Sequence, residues 1–185
     1  MLKRLRFILP NKDIIMNLKN YIREIQNYPK EGILFRDITT LLKDKEAFKF
    51  AIDEMAKQVM DKNIDLIVGA ESRGFLIGSA LAYRLNVGFI PVRKKGKLPY
   101  KTISEEYALE YGTDTLYMHE DSIAKGNNVL IVDDLIATGG TANAMIKMVE
   151  RLGGNVVGTS FLIELEDLGG RKEIDKYPVY VLIKY

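Results

Sequence analysis

The chain has 185 residues, 47% hydrophobic and 28% charged, the profile of one folded globular domain rather than a disordered segment. It has no cysteine and one histidine, which excludes disulfides, thiolate metal sites and a cysteine nucleophile and nearly excludes a serine–histidine triad or a histidine-rich metal cluster. Its 27 Lys and Arg against 25 Asp and Glu leave a formal charge of +2, so bulk charge gives no argument for nucleic acid as a partner.

Residues 1–15 carry Lys3, Arg4, Arg6 and Lys12 around Phe7-Ile8-Leu9, a run that Pro10 stops. That run is too short for a signal-peptide core or a membrane span, and residues 1–15 read as an extension to a single domain at 16–185. No segment approaches ~20 uninterrupted apolar residues, which points to a cytoplasmic protein with no membrane partner.

From Met16 the spacing of Leu18, Tyr21, Ile22 and Ile25 predicts a short helix ended by Asn27 and Pro29. Tyr28 to Asp37 reads as a turn followed by extended chain. Asp44 is placed to cap a helix whose apolar face is Phe48, Ala51, Ile52, Met55, Val59 and Met60. Beyond it strands at 64–68, 88–92, 129–132, 156–165 and 179–183 alternate with helices at 74–85, 141–152 and 171–175. Strand-helix alternation predicts an α/β fold with a mostly parallel sheet flanked by helices. The apolar run Val129-Leu130-Ile131-Val132 suits a strand buried on both faces.

Residues 93–125 break that rhythm. The cations Arg93, Lys94, Lys95, Lys97 and Lys101 come first, then the acids Glu105, Glu106, Glu110, Asp114, Glu120 and Asp121. A long excursion in a compact domain is usually functional or disordered. Alternation at Tyr107, Leu109, Tyr111, Leu116 and Met118 predicts a two-stranded ribbon turning near Gly112-Thr113-Asp114. Glu105 and Glu106 read as solvated charges, and His119 as a surface residue.

The segment 129–141 carries the most chemistry. A buried strand ends in Asp133 and Asp134, and the small-residue loop Ala137-Thr138-Gly139-Gly140-Thr141 then enters a helix. Unhindered amides, two hydroxyls and a helix N-terminus make a phosphate cradle. The two carboxylates can accept from the vicinal hydroxyls of a ribose. The loop is neither a Walker motif nor a dinucleotide fingerprint. Taken alone, Glu71-Ser72-Arg73-Gly74 fits an ordinary strand-to-helix turn as well as a binding loop, and Phe35 fits a core position.

The 129–141 segment resembles the 5-phosphoribosyl-1-diphosphate (PRPP) binding motif of the type I phosphoribosyltransferases. Within that family the chain is similar to the branch that uses adenine, over essentially 16–185. Further matching segments are Tyr28 to Thr39, Ala70 to Phe75, Arg93 to Pro99 and Leu109-Glu110-Tyr111-Gly112.

The resemblance implies a purine-salvage transfer of the phosphoribosyl group of PRPP to adenine, giving AMP and pyrophosphate, with Mg²⁺ held mainly by substrate oxygens and water. Ala137, Thr138, Gly139, Gly140 and Thr141 would hold the 5′-phosphate, and Asp133 and Asp134 would face the ribose hydroxyls. Glu71, Ser72, Arg73 and Gly74 would form the pyrophosphate loop, with a cis peptide expected between Glu71 and Ser72. Arg93 and Lys97 match diphosphate-contacting positions, Arg93 reaching the neighbouring subunit's site in a homodimer.

A hood at about 16–42 would cover the base. In it Phe35 would stack on adenine, while backbone groups of Leu34 and Arg36 read its edge and Leu165 packs on the opposite ring face. The segment at about 93–120 would be a flexible lid, its Glu110 the catalytic carboxylate that positions the base and its proton. A transferase using an oxopurine such as xanthine, and a PRPP-sensing regulator like the purine repressor, share the motif. The hood and lid residues favour adenine, and fifteen residues are too few for a DNA-binding domain.

Overall fold

The computed structural model describes residues 16–108 and 112–185; the extension expected at 1–15, and Leu109, Glu110 and Tyr111 of the expected lid, lie outside the described residues. Seven strands form one sheet in the order β5-β6-β4-β3-β7-β8-β9. They are β3 (Leu66–Ala70), β4 (Gly88–Lys94), β5 (Thr102–Ala108), β6 (Thr113–His119), β7 (Asn128–Ile136), β8 (Asn155–Glu164) and β9 (Val179–Lys184). The run β4-β3-β7-β8-β9 is parallel, while β6 lies antiparallel to β4 and β5 antiparallel to β6. Helices α3 (Arg73–Leu85) and α4 (Gly140–Arg151) make the crossovers β3-α3-β4 and β7-α4-β8. The α/β reading with a mostly parallel sheet holds.

The two-residue strand period builds a core on each face of the sheet. Leu130 and Val132 of β7 pack in one cluster with Ile77 and Leu81 of α3 and with Met55 of α2 (Lys45–Val59). Val129 and Ile131 pack in the other cluster with Met145, Met148 and Val149 of α4. Asp44 caps α2 as expected, accepting from Glu46 N at 3.0 Å and Ala47 N at 2.9 Å. Met60, expected on the apolar face, is 71% exposed, because the helix has ended at Val59.

The helix expected from Met16 shrinks to one 3-10 turn at Leu18–Tyr21, and Ile25 falls instead in β1 (Arg23–Gln26). The strand β2 (Leu34–Asp37) recruits that backbone, pairing Ile25 with Phe35 and Arg23 with Asp37, so a tertiary ladder overrides the local period. The short helix α1 (Thr39–Lys43) follows, its start fixed by the Asp37 carboxylate, which accepts from Thr39 N at 2.9 Å and Thr39 Oγ1 at 2.8 Å. Five residues are too few to show a period in sequence.

The ribbon β5–β6 forms with Leu116 and Met118 buried, but Thr113 and Asp114, expected at its turn, belong to β6 and pair with Ala108 and Tyr107; residues 109–111 fall outside the described residues. Glu105 is not a free surface charge. It is half-buried against α4, 3.3 Å from Lys147 and 3.5 Å from Arg151, and Arg151 Nη2 donates to the Ser104 carbonyl at 2.7 Å. His119 is half-buried too, edge-on to Tyr100, with its Nε2 enclosed and unpartnered. Both residues leave the surface because the ribbon lies on the domain. No helix among the described residues is long and apolar enough to cross a membrane.

Candidate active site

The strands β3 and β7 run side by side, and the chain leaving each enters a helix across the same cavity of about 350 Å³. Glu71, Ser72 and Arg73 line it from the β3–α3 junction; Asp133, Asp134, Ala137, Thr138, Gly139, Gly140 and Thr141 line it from the β7–α4 junction. The peptide between Glu71 and Ser72 is cis, as expected.

Neither helix start carries a side-chain cap: Ser72 makes no capping hydrogen bond at α3, and Gly139 has no side chain with which to cap α4. The first turn of each helix therefore offers unsatisfied amides and the positive end of its dipole to an anion. Gly139 has φ +87°, and a Cβ there would strike the Gly170 carbonyl, so the loop closes only with glycine.

Between these two anion-seeking ends lies the carboxylate pair. Asp133 and Asp134 stand within β7 rather than at its end, because Leu135 and Ile136 continue the ladder with Ile163 and Glu164 of β8. Asp134 is buried, with Arg73 Nε 3.1 Å from its Oδ2. Asp133 keeps some surface on the cavity while its Oδ1 accepts from Asp134 N at 2.9 Å. Gly74 makes room for that carboxyl: a Cβ on it would sit 2.5 Å from Asp133 Oδ1.

Burial and then the charge of Asp134 push the Asp133 carboxyl well above the usual aspartate range. Burial also raises Asp134, but the Arg73 charge pulls it back. Arg73 keeps capacity in reserve, since its Nη1 is buried without a partner. An arginine with a free, desolvated donor at the mouth of an anion site suits phosphate oxygens.

None of the residues expected to meet the base, Leu34, Phe35, Arg36 and Leu165, lines this cavity. The Phe35 ring lies 5.1 Å from the Arg73 guanidinium carbon and edge-on to Tyr28. Leu34 is exposed, and Arg36 pairs with Glu24 and stacks 3.7 Å over Tyr185. Leu165 N donates to the Ile136 carbonyl at 3.0 Å, which places that residue beside the strand carrying the aspartates.

Arg93 and Lys97 do not line the cavity. Arg93 turns to Glu71, donating from Nε to Oε2 at 2.7 Å, and donates from Nη1 to the Lys97 carbonyl at 3.2 Å. Burial raises the Glu71 carboxyl, but the Arg93 hydrogen bond and charge outweigh it, and the net shift is downward.

Several lining residues had no site role in the sequence reading, among them Lys94, Tyr107, Phe161 and Leu168. Lys94 adjoins Arg93 on β4 and faces the other way, pairing with Asp114 at 2.8 Å. Strand alternation after Arg93 was the signal that could have found it. Tyr107 reaches the cavity only through the ribbon's fold-back. Burial raises its phenol, and its hydroxyl lies 3.5 Å from Asp114.

Comparison with known proteins shows matches over nearly the whole chain. The model of the phosphoribosyl transferase domain family matches residues 39–184. The chain is 80% identical over 170 residues to adenine phosphoribosyltransferase of Brachyspira hyodysenteriae, covering 92% of this chain and 100% of that one. Adenine phosphoribosyltransferase of Thermoanaerobacter pseudethanolicus superposes with a TM-score of 0.89 at 55% identity, over 91% of this chain and 98% of that one. The Trypanosoma brucei adenine phosphoribosyltransferase, solved with AMP, pyrophosphate and ribose-5-phosphate, superposes with a TM-score of 0.83 at 25% identity, over 90% and 77%.

Proposed function

The chain belongs to the adenine phosphoribosyltransferases of the phosphoribosyl transferase domain family, and from that premise we propose how its cavity divides the substrates. It transfers the 5-phosphoribosyl group of PRPP to adenine, giving AMP and pyrophosphate, a purine-salvage reaction. One observation carries the division: two uncapped helix starts face one cavity with a carboxylate pair between them. PRPP has that order of groups, a phosphate at C5, a diol, and a diphosphate at C1.

The α4 end, Ala137, Thr138, Gly139, Gly140 and Thr141, takes the 5′-phosphate. Asp133 and Asp134 accept from the ribose hydroxyls. The α3 end, with Glu71, Ser72, Arg73 and Gly74, takes the diphosphate, and the free Arg73 Nη1 supports that assignment. Adenine lies under the hood between Phe35 and Leu165, with backbone groups of Leu34 and Arg36 at its edge. Stacking on one aromatic contributes ~1–3 kcal/mol at comparable base sites. Glu110, outside the described residues, is assigned to orienting the base and its proton when the lid at 93–120 closes.

The bond from C1 to the diphosphate breaks as adenine nitrogen approaches, and positive charge gathers on the ribosyl ring. The Asp133–Asp134 pair faces the ribosyl ring in this reading, and Arg73 with the α3 amides holds the departing diphosphate. Mg²⁺ would accompany the diphosphate, held mainly by its oxygens and water. Bound there, Mg²⁺ neutralises the leaving group.

The proposal includes a homodimer in which Arg93 serves the neighbouring site. Leu76 and Tyr83, large apolar residues exposed on α3, support it. It also includes a cytoplasmic location, where PRPP and free base are dissolved.

A base panel tests the reading. With PRPP and Mg²⁺, AMP should form from adenine far faster than any product from hypoxanthine, guanine or xanthine, and preference for an oxopurine overturns it.

A further inference from the structure

Arg171 grips a buried carboxylate behind the phosphate loop. Its Nη2 donates to Glu164 Oε2 at 2.7 Å, its Nε donates to Oε1 of the same carboxylate, and its Nη1 donates to the Val179 carbonyl at 3.3 Å. Glu164 ends β8 and is 5% exposed. In the ladder it stands opposite Ile136 on one side and Lys184 on the other. The Glu164 backbone is thereby paired with the residue that immediately precedes the 137–141 loop.

The other end of the grip touches the loop itself. Arg171 belongs to a 3-10 turn, Gly170–Ile174, and Gly170 lies directly against the loop. A Cβ on Gly170 would strike the Ala137 carbonyl and come within 2.9 Å of Gly139 N. Backbone packed this closely transmits a shift rather than absorbing it. Neither Glu164 nor Arg171 lines the cavity, so neither reaches a substrate there. A buried ion pair is weak grounds for stability, since apolar residues of equal volume often do as well. What a planar, two-bond arginine–carboxylate pair adds is direction.

We propose that the Arg171–Glu164 pair is a positioning device that sets the 137–141 loop against the Gly170 turn at the spacing the 5′-phosphate needs. The inference rests on the reading of 137–141 as the phosphate site. Small displacements of a positioning group cost much in substrate handling, up to ~100-fold for 1 Å. Lysine at 171 keeps the charge and loses the fork.

Steady-state kinetics of the full chain with Arg171→Lys and Glu164→Gln test this, with Thr138→Ala as the reference for the loop. Both pair variants should raise the KM for PRPP about tenfold while kcat and the KM for adenine stay within about twofold. A folded Arg171→Lys enzyme with unchanged KM for PRPP overturns the proposal, as does an equal change in all three constants. If Arg171→Lys does not fold, Glu164→Gln decides, and if neither folds the pair is structural and the positioning role falls. Thr138→Ala with an unchanged KM for PRPP sinks the loop assignment itself. A raised KM in Thr138→Ala beside an unchanged one in Arg171→Lys sinks only the positioning role.

Discussion

Arg73 stands 3.1 Å from Asp134 Oδ2, so one guanidinium joins the α3 end of the cavity to the carboxylate pair of β7. Its Nη1 has no partner, and its carbon lies 5.1 Å from the Phe35 ring. Arg73 is thus placed to meet diphosphate while still screening Asp134. Lysine would supply one point charge in place of the fork. Hydrogen bonds between charged groups contribute ~1.5–3 kcal/mol, so Arg73→Lys should raise the KM for PRPP by roughly 10- to 100-fold. Initial-rate kinetics at saturating adenine check this.

The Asp133 carboxyl sits well above its ordinary 3.8 because burial, then the Asp134 charge, disfavours ionisation. A raised folded value means the native state holds a proton that the unfolded chain has released. Stability therefore falls as pH rises from the unfolded value through the folded one, and the cost persists above it. Asp133→Asn removes that cost, and it also removes acceptors for the ribose hydroxyls. The variant should melt above the native protein at pH 8. The gap should close below about pH 3.8, where both forms are neutral, and activity should fall about 100-fold. Melting curves from about pH 3 to 8 beside a rate assay decide it; a variant less stable at pH 8 would refute the argument.

The parts of the molecule legible in sequence were those fixed by neighbours along the chain. The run 129–132 has to be a doubly buried strand, Asp44 has to cap α2, and 137–141 needs small residues whatever surrounds it. The unexpected parts come from distant pairing. β1 exists because β2 lies beside it, and Glu105 leaves the surface because Arg151 and Lys147 of α4 are there to meet it. In the cavity, the 137–141 loop and both aspartates were legible as neighbours along the chain, while Lys94 and Tyr107 enter it only through strand direction and ribbon fold-back. Glu164 and Arg171 are seven positions apart and look like ordinary charges until β8 buries one of them.

Gly139→Ala should damage both stability and binding. At φ +87° an L side chain costs ~1–2 kcal/mol, and the new Cβ meets the Gly170 carbonyl and lies 2.9 Å from Glu173 Cβ. Gly126 has φ +90° with nothing within 4 Å of a built Cβ, so Gly126→Ala carries the backbone cost alone. Gly126→Ala is expected to lower Tm by roughly 2–8 °C and leave the KM for PRPP unchanged. Gly139→Ala should melt lower still and lose at least about tenfold in kcat/KM for PRPP. Equal behaviour of the two variants would mean that the Gly139–Gly170 contact has no part in the site.

Lys94 separates the geometry from the family pattern, because it lines the cavity where Lys97 does not. Its Nζ is 2.8 Å from Asp114 Oδ2, and that hydrogen bond, against burial, holds the Asp114 carboxyl below its ordinary 3.8. A lowered folded value adds stability that is present above the unfolded value and lost as pH falls through the folded one. The Lys94 side chain is 54% exposed, so solvent screening keeps the pair at or under ~1 kcal/mol. Lys94→Met should accordingly melt only about 2–4 °C below the native protein at pH 7, with the gap closing toward pH 3. The loss in substrate handling should be larger. A cation facing the diphosphate end contributes ~1.5–3 kcal/mol once bound, so the KM for PRPP should rise at least about tenfold. Adenine carries no phosphate, and its KM should move less than about twofold. A Lys94→Met enzyme with normal KM for PRPP would confine Lys94 to holding the ribbon through Asp114.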